Sequence, residues 1–414
     1  EHTREVYFLE DKELAVVYSD HVDLFNTDGE KHIREPYHVE WDASSAEKGG
    51  FAHFMLKEIH EQPKALLDTM RPRIVKNGDV PSDIKFEEIT EEIDWKNAGR
   101  VVITACGTAS YAGQIGKYAF EKFARLSTEV DIASEYRYRN PIMNRNDIFI
   151  VISQSGETAD TLAALRLAKK AGAKIIAITN CVGSSVSREA DYVIYTWAGA
   201  EISVASTKAY TAQLICLYLL AMKAGFSREK LSKAEYENLL KEFETVPDKI
   251  AEFLKDESAV QKLASKNFNK SSIFYIGRNF DSASCLEAAL KLKEVSYMHS
   301  EAFAAGELKH GPIALIDKST LVVAIASDET LYEKIRSNIV QVKSRGASTI
   351  VITQDEKGYF SDTADEIISL PKISADFAPL LTVIPAQLFA YYCAVLRGND
   401  PDKPRNLAKS VTVE

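Results

Sequence analysis

A long internal repeat restricts what this chain can fold into more than any other feature. Apolar runs at Val101 to Ala105, Ile148 to Ile152, Lys174 to Thr179 and Tyr192 to Tyr195 return as Ser272 to Ile276, Thr320 to Ala326, Thr349 to Thr353 and Glu366 to Leu370. Each returns about 170 to 174 residues after its counterpart. Registers agree at single-residue level: Val151-Ile152-Ser153 matches Ile325-Ala326-Ser327, and Ala177-Ile178-Thr179 matches Val351-Ile352-Thr353. Ala212-Gln213-Leu214 opens an apolar helix ending near Gly225, and Ala386-Gln387-Leu388 opens another ending at Gly398. Runs of five or six apolar residues separated by helical stretches are buried parallel strands alternating with helices. The sequence therefore predicts α/β architecture: two tandem doubly wound parallel sheets flanked by helices. With 414 residues the chain is long enough for both, a domain usually taking roughly 100 to 200.

Around these halves the texture changes. From Val6 to about Trp41 short apolar runs alternate with Glu10-Asp11-Lys12-Glu13 and Asp28-Gly29, the pattern of antiparallel hairpins. Residues 1–41 are thin for a free-standing core and read as the end of a further domain. The chain starts without an initiator Met or an apolar signal core, so it is expected to have been processed or cut from something longer. Residues 42–75 read as a linker followed by helices around Pro63. The first α/β domain is expected over 76–245 and the second over 246–398, divided near Val246-Pro247 after a charged helix from Ser227 to Glu244. A Pro- and Lys-containing tail, 399–414, stands outside both.

Composition removes several classes. Hydrophobic residues make up 46% and charged residues 27%, which excludes wholesale disorder. Lys plus Arg number 50 against 60 Asp plus Glu, a formal charge of -10, so a nucleic-acid-coating surface is not expected. Any anionic ligand then needs a local device strong enough to work against an acidic background. The five cysteines, Cys106, Cys181, Cys216, Cys285 and Cys393, are odd in number and lie in apolar segments without a Cys-x-x-Cys pair, as expected for reduced thiols in a cytoplasmic protein. The longest apolar stretch, Leu380 to Leu396, is broken by Pro385 and Gln387 and falls short of the ~20 residues of a bilayer crossing, so no membrane association is expected.

The sharpest local motif is Ser153-Gln154-Ser155-Gly156-Glu157-Thr158, between the strand Ile148 to Ile152 and the helix Asp160 to Ala171. A helix start leaves unpaired N–H groups with partial positive charge, Gly156 allows close backbone approach, and three hydroxyls plus an amide add donors. Such a turn can also merely cap its helix, but four polar groups in six residues favour a small phosphate monoester. The loop after the first strand, Cys106-Gly107-Thr108-Ala109-Ser110, falls on the same sheet edge if the two strands are neighbours, placing Thr108 as a second donor. Glycines 107, 113 and 116 do not form a dinucleotide fingerprint, and no Lys follows a Gly-rich loop as in a P-loop. Cys106 has no basic neighbour and reads as a small buried hydrophobe. In the second half, Ser327-Asp328-Glu329-Thr330 sets carboxylates where phosphate would sit, so that copy is expected not to bind one.

Instead, the second half carries Glu287, Lys291 and Glu294 at i, i+4 and i+7 of one helix face. That spacing reads either as a salt-bridged solvent face or as a general base beside an ammonium. His310, between Lys309 and Gly311-Pro312, sits where regular structure must stop and is free to titrate, with His299 a competitor. Neither His has ligand-type neighbours at metal-binding spacing, and no metal or cofactor is expected.

Cys-Gly-Thr at 106 to 108, Ser-Gln-Ser-Gly-Glu-Thr at 153 to 158, Glu-Ile-Ser-Val-Ala-Ser-Thr-Lys at 201 to 208, Gly-Glu-Leu-Lys-His-Gly-Pro at 306 to 312 and the terminal Lys-Pro-Arg-Asn-Leu-Ala-Lys-Ser-Val-Thr-Val-Glu together resemble one family. It is the glutamine:fructose-6-phosphate amidotransferases, or glucosamine-6-phosphate synthases, whose isomerase part consists of two sugar-isomerase (SIS) domains. The resemblance spans the whole chain, residues 1 to about 41 looking like the end of the glutaminase domain. It implies that fructose 6-phosphate and a nitrogen source, glutamine or ammonia, yield glucosamine 6-phosphate in a cytoplasmic homodimer. It further implies that Ser153, Gln154, Ser155 and Thr158 hold the phosphate with Thr108 and Ser110 alongside, and that backbone at Val204 and Ala408 lies near the sugar. By the same resemblance Glu294 shuttles a proton between C1 and C2, His310 opens the ring in the neighbour's site, and Lys409 forms an imine with the ketose. Lys291 and Glu287 orient the set. Ala109 stands where the motif often has Ser. The family's ammonia-releasing Cys lies in a region this sequence lacks, so glutamine-dependent synthesis is not expected from these residues. Competing readings are a sugar-phosphate-binding regulator, which would not need Glu294, His310 or Lys409, and a deaminase or other isomerase of the same fold.

Overall fold

The computed structural model describes residues 5–10, 12–38, 47–89 and 91–413. It divides into two compact units, Glu1–Gly49 and Gly50–Glu414. Among the described residues of the first, five short strands follow one another: β1 (Glu5–Val6), β2 (Glu13–Val17), β3 (Val22–Asn26), β4 (Lys31–His32) and β5 (Tyr37–His38). Strands β2, β3 and β4 form an antiparallel meander and β1 pairs with β5, as the alternating pattern predicts. Arg34 clamps this unit by donating to both carboxylate oxygens of Glu13, at 2.9 and 2.8 Å.

The second unit opens with α1 (Phe54–His60) and α2 (Gln62–Met70), where Pro63 sits in the first turn of α2 and lacks only an N–H that the helix start leaves unbonded anyway. A hairpin follows, β6 (Ile74–Asn77) and β7 (Val80–Ile84), turning at Gly78 with φ 62°. The expected linker residues 42–46 lie outside the described residues.

Next comes the first repeat: β8 (Val101–Ala105), α3 (Gly107–Ala119), β9 (Thr128–Ile132), α4 (Ala133–Tyr136), β10 (Ile148–Ser153), α5 (Ala159–Lys170), β11 (Lys174–Thr179), α6 (Ser185–Glu189), β12 (Tyr192–Tyr195) and α7 (Lys208–Ser227). Helices α8 (Lys233–Phe243), α9 (Val246–Phe253) and α10 (Ser258–Asn267) lead to the second repeat. This consists of β13 (Ser272–Gly277), α11 (Phe280–Ser296), β14 (His299–Ala304), β15 (Thr320–Ala326), α12 (Tyr332–Lys343), β16 (Ser348–Thr353), β17 (Glu366–Ser369) and α13 (Pro379–Leu396). The sheets run β9-β8-β10-β11-β12 and β14-β13-β15-β16-β17, all parallel. Both are doubly wound with one strand order, and in each the chain reverses direction across the sheet between the first and third strands. Such a switch point leaves a crevice beyond the strands' carboxyl ends, where ligands of this architecture bind.

Two details differ from the expectation. Each sheet has a fifth strand, β9 or β14, at its edge. The closing helices begin earlier, at Lys208 and Pro379, and Pro385 lies inside α13. A proline costs a helix one hydrogen bond and some crowding, but α13 is buried along nearly its whole length, and burial of its many apolar side chains at roughly 1.5 to 3 kcal/mol each outweighs that cost. Val246 and Pro247, near which the division between the halves is expected, begin α9. The halves share one hydrophobic core through α3, α7, α11 and α13, in which Tyr218 packs on Phe243, Phe280 and Phe377. Helices α7 and α13 are long and apolar enough to cross a membrane, but both are mostly buried inside the fold.

Close packing of α7 makes Gly225 a sensitive position. A Cβ there would lie 2.4 Å from the carbonyl oxygen of Phe123. Helix propensity alone would make Gly225→Ala stabilising by ~1 kcal/mol, whereas forcing an atom into a packed seam costs about 1 to 3 kcal/mol. We expect a net loss of stability in denaturant melts; a gain would show that the seam yields.

Candidate active site

The carboxyl ends of β8 and β10 are neighbours, as the motif argument requires, because the two strands pair directly. Beyond them opens a cleft of about 160 Å³ whose lining includes Thr108, Ser153, Gln154, Ser155, Thr158, Val204, Glu294, Ala408 and Lys409. Gly156 gives the 153–158 loop its shape with φ 68°, and a Cβ there would stand 2.1 Å from Ser184 Oγ, so the turn is built for glycine. Ser153 Oγ accepts the Gly156 N–H at 3.0 Å and bonds Thr158 Oγ1 at 2.9 Å, while Ser155 Oγ accepts the Glu157 N–H at 3.2 Å. Glu157 turns away and accepts from Ser185 N–H and Oγ, each at 2.7 Å, which removes its charge from the anion's path. At the start of α5 the Ala159 N–H donates to the Val411 carbonyl at 3.3 Å, which ties the tail to this loop.

Across the cleft lies α11. Its Glu287, Lys291 and Glu294 do share a face, but that face is turned into the protein, with the Lys291 side chain 1% exposed. Lys291 Nζ donates to Glu294 Oε2 at 2.8 Å and to Thr108 Oγ1 at 3.1 Å, and pairs with Glu287 Oε1 at 3.2 Å. Thr108 donates in turn to Glu287 Oε1 at 3.4 Å. Burial opposes the ammonium most, yet the two flanking carboxylates outweigh it and raise the Lys291 pKa. Burial also pushes Glu287 up to about 7, with Lys291 opposing. Glu294 alone of the trio reaches the cleft lining. Thr108 is thus engaged by the other half, and its hydroxyl joins the repeats as well as facing the ligand space.

The tail closes the third side. Asp402 anchors it by accepting from the N–H groups of Phe54 and Met55 at 2.9 and 2.8 Å. Val204 N–H donates to the Asp402 carbonyl at 3.0 Å, and Ser410 Oγ meets Ser155 Oγ at 2.9 Å. Lys409 Nζ, at the cleft, donates to Glu201 Oε2 at 2.5 Å.

Ser110, expected beside the phosphate, and His310, expected in a neighbour's site, both lie outside this cleft's lining. Ser110 is buried within α3 and does not line the cleft. His310 ends a 3-10 turn, Glu307–His310, exposed and away from the cleft lining. Cys106 lines the cleft, but burial pushes its thiol up, against a nucleophilic role. Sequence reasoning overlooked Gln213, which also lines the cleft and whose buried Oε1 has no hydrogen-bond partner; its signal was the Ala-Gln-Leu shared by both closing helices. The counterpart Gln387 serves structure, accepting from Gln62 Nε2 at 2.8 Å.

At the equivalent crevice of the second half the loop is occupied by the chain itself. The Asp281 carboxylate accepts from Ser327 N–H at 2.8 Å and Ser327 Oγ at 2.6 Å. A larger cleft of about 320 Å³ nearby is lined by Glu329, Glu333, Asp355 and Glu356 against Lys357 and Lys372, a poor setting for an anion. Among the described residues no cluster of His, Cys, Asp and Glu suited to a metal ion occurs.

Comparison with known proteins fits this geometry. The SIS domain family model matches twice, over residues 95–223 and 268–397, so fold and site together define a double SIS-domain protein. A glutamine--fructose-6-phosphate aminotransferase (isomerizing) from Clostridium tetani is 53% identical over 413 residues, covering 100% of this chain and 67% of that protein. The corresponding enzyme of Caldanaerobacter subterraneus is 51% identical with the same coverage. The chain belongs to the glutamine--fructose-6-phosphate aminotransferase (isomerizing) family, and it spans about two thirds of these relatives' length. Among solved structures, the C-terminal domain of glucosamine-fructose-6-phosphate aminotransferase from Francisella tularensis superposes with a TM-score of 0.82 at 35% identity, covering 86% of this chain and 100% of that one. A glucosamine-6-phosphate deaminase from Thermotoga maritima, at 24% identity and a TM-score of 0.67, shares the fold.

Glu58, on α1, gives this site a stability signature. Burial, and then the charge of Glu201, push its carboxyl up to about 8 from an ordinary 4.5. The folded state therefore holds a proton that the unfolded chain releases above about pH 4.5, so this contribution to stability is complete below that pH and is lost as pH rises through about 8. We expect Glu58→Gln to flatten the fall in melting stability across this window, an effect on the order of a few kcal/mol. A variant whose stability runs parallel to the parent's at every pH would mean that Glu58 titrates alike in the folded and the unfolded chain.

Proposed function

We propose that this chain carries the ketose/aldose isomerase chemistry of glucosamine 6-phosphate formation, with fructose 6-phosphate as substrate and ammonia as the nitrogen that reaches C2. The observation that carries the reading is the convergence, on one cleft, of an amide- and hydroxyl-lined anion loop, the Glu294 carboxylate and the Lys409 ammonium. The loop at 153–158 takes the 6-phosphate, which fixes the carbon chain along the cleft toward α11 and the tail. Lys409 condenses with the C2 carbonyl, and ammonia displaces it to leave an imine at C2. An imine acidifies the C1 protons, so Glu294 can remove one and return it to C2. C1 becomes the aldehyde and C2 the amine carbon, with no external oxidant or reductant.

Lys291 holds Glu294 by a charge-assisted bond and Glu287 holds Lys291, which fits positioning roles for both. His310 opens the sugar ring in the site of a second copy, a reading supported by its exposure outside the chain's own cleft. That arrangement makes the working species a homodimer. Five unpaired thiols support a cytoplasmic setting.

Purified chain incubated with fructose 6-phosphate should yield glucose 6-phosphate, and with added ammonium should yield glucosamine 6-phosphate; no product under either condition would sink the reading. Glu294→Gln is expected to lower C1-to-C2 proton transfer by at least about a hundredfold while sugar-phosphate binding persists. Wild-type turnover by that variant would remove Glu294 from the mechanism. Ser155→Ala should instead weaken binding by about tenfold, the cost of one hydrogen bond to a charged group, as read by isothermal titration with glucose 6-phosphate.

A further inference from the structure

Lys409 reaches the cleft already bound to a base. Besides Glu201 Oε2 at 2.5 Å, its Nζ donates to the Ser203 carbonyl at 2.8 Å. The Glu201 side chain is 0% exposed, whereas that of Lys409 is 25% exposed and lines the cleft. Glu201 Oε1 accepts the N–H groups of Thr207 and Ala209 at 2.9 and 3.0 Å, so the carboxylate is fixed at the start of α7 with Oε2 aimed at the amine. From α1, Glu58 Oε1 accepts the N–H groups of Ile202 and Ser203 at 2.5 and 3.2 Å, and its Oε2 is buried without a partner. Cys181, after β11, is near enough to feel Lys409, while Lys57 and Lys208 are paired with Glu61 at 3.5 and 2.7 Å.

Two carboxyls and one ammonium share this water-poor space, and their protonation divides them. Burial disfavours the charge on Glu201, but the Lys409 ammonium and the two N–H groups outweigh it and hold its carboxyl below the ordinary value. Glu58, pushed the other way, keeps its proton at neutral pH. The result is one ion pair, Glu201 with Lys409, beside a neutral carboxylic acid.

An ammonium has no lone pair with which to attack a carbonyl. We infer that Glu201 is the proton acceptor that frees the Lys409 amine for attack on C2, and the donor that later helps the C2 oxygen leave as water. This rests on the imine reading of Lys409 given above. In the first step the Nζ–H bond breaks, the proton moves to Glu201 Oε2, and the Nζ pair attacks C2 while the carbonyl π pair moves to oxygen. A second proton then passes from nitrogen to that oxygen. Glu201 returns its proton to the hydroxyl, water departs, and an iminium remains beside a regenerated carboxylate. Glu58, which accepts the N–H groups of Ile202 and Ser203, holds the backbone that follows Glu201.

The test is borohydride trapping of the intact chain with fructose 6-phosphate, with the adduct mapped to its lysine by peptide mass and the rate of labelling followed. Glu201→Gln retains an acceptor for the two N–H groups but cannot take a proton, and should slow labelling of Lys409 by about a hundredfold or more. Glu201→Asp should recover part of the rate. Affinity for glucitol 6-phosphate, which has no carbonyl, should change by less than about threefold in both. Labelling of Glu201→Gln at the wild-type rate overturns the inference, as does a matching loss of glucitol 6-phosphate binding, which would make Glu201 merely structural. If the wild-type chain forms no Lys409 adduct, the imine reading itself fails and this inference with it; an adduct on wild type with no effect of Glu201→Gln leaves that reading standing and removes Glu201 alone.

Discussion

A lysine ammonium with 1% of its side chain exposed sits where the two repeats meet, and the site depends on it. Lys291 belongs to the second half, yet one of its three close partners is Thr108 of the first. Burying an ammonium costs several kcal/mol unless its partners are well placed, so Glu287, Glu294 and Thr108 must all be in register for the halves to close. This is weak evidence for stability, since an apolar trio could pack there at no greater cost. It is stronger evidence for position: the contacts that satisfy Lys291 hold Glu294 against the cleft and Thr108 beside the anion loop.

The repeats are alike in topology and unlike in chemistry. Strand starts Val101 and Ser272 differ by 171 positions, 272 minus 101, and at that same offset Gly116, Phe120 and Phe123 stand where the second half has Glu287, Lys291 and Glu294. The switch-point loop of the first half lines a cleft; the second half fills the same place with Asp281 bonded to Ser327. In exchange the second half supplies the ionisable helix. The cleft takes its lining from both halves, and the tail that brings Lys409 is pinned to α1 and to the 201–204 segment. The one carboxylate within the 153–158 loop, Glu157, is turned onto Ser185.

Much of this was legible because buried parallel strands leave continuous apolar runs, which recur visibly, and because the polar groups of the 153–158 loop that line the cleft lie within six residues. The edge strands β9 and β14 were not, since polar residues such as Glu129, Asp131, His299 and Glu301, none of them buried, interrupt any apolar run. The β6–β7 hairpin carried a signal, Asn77-Gly78, between residues too polar to draw attention. Pro385 argued locally against a helix that tertiary burial imposes. For Glu287, Lys291 and Glu294 the spacing is identical for a solvent face and for a buried one, so only packing against α3 decides. The Glu58, Glu201 and Lys409 cluster joins three distant segments and leaves no pattern along the chain.

The central claim is that the ligand's phosphate enters the first half's loop while its reacting carbons face α11 and the tail. A crystal structure of the chain soaked with fructose 6-phosphate tests it most directly. The account predicts phosphate density within hydrogen-bond reach of Ser153, Ser155 and Thr158, with C1 and C2 between Glu294 and Lys409. Phosphate seated instead near Ser327 in the second half, or a sugar chain pointing away from Glu294, would contradict it.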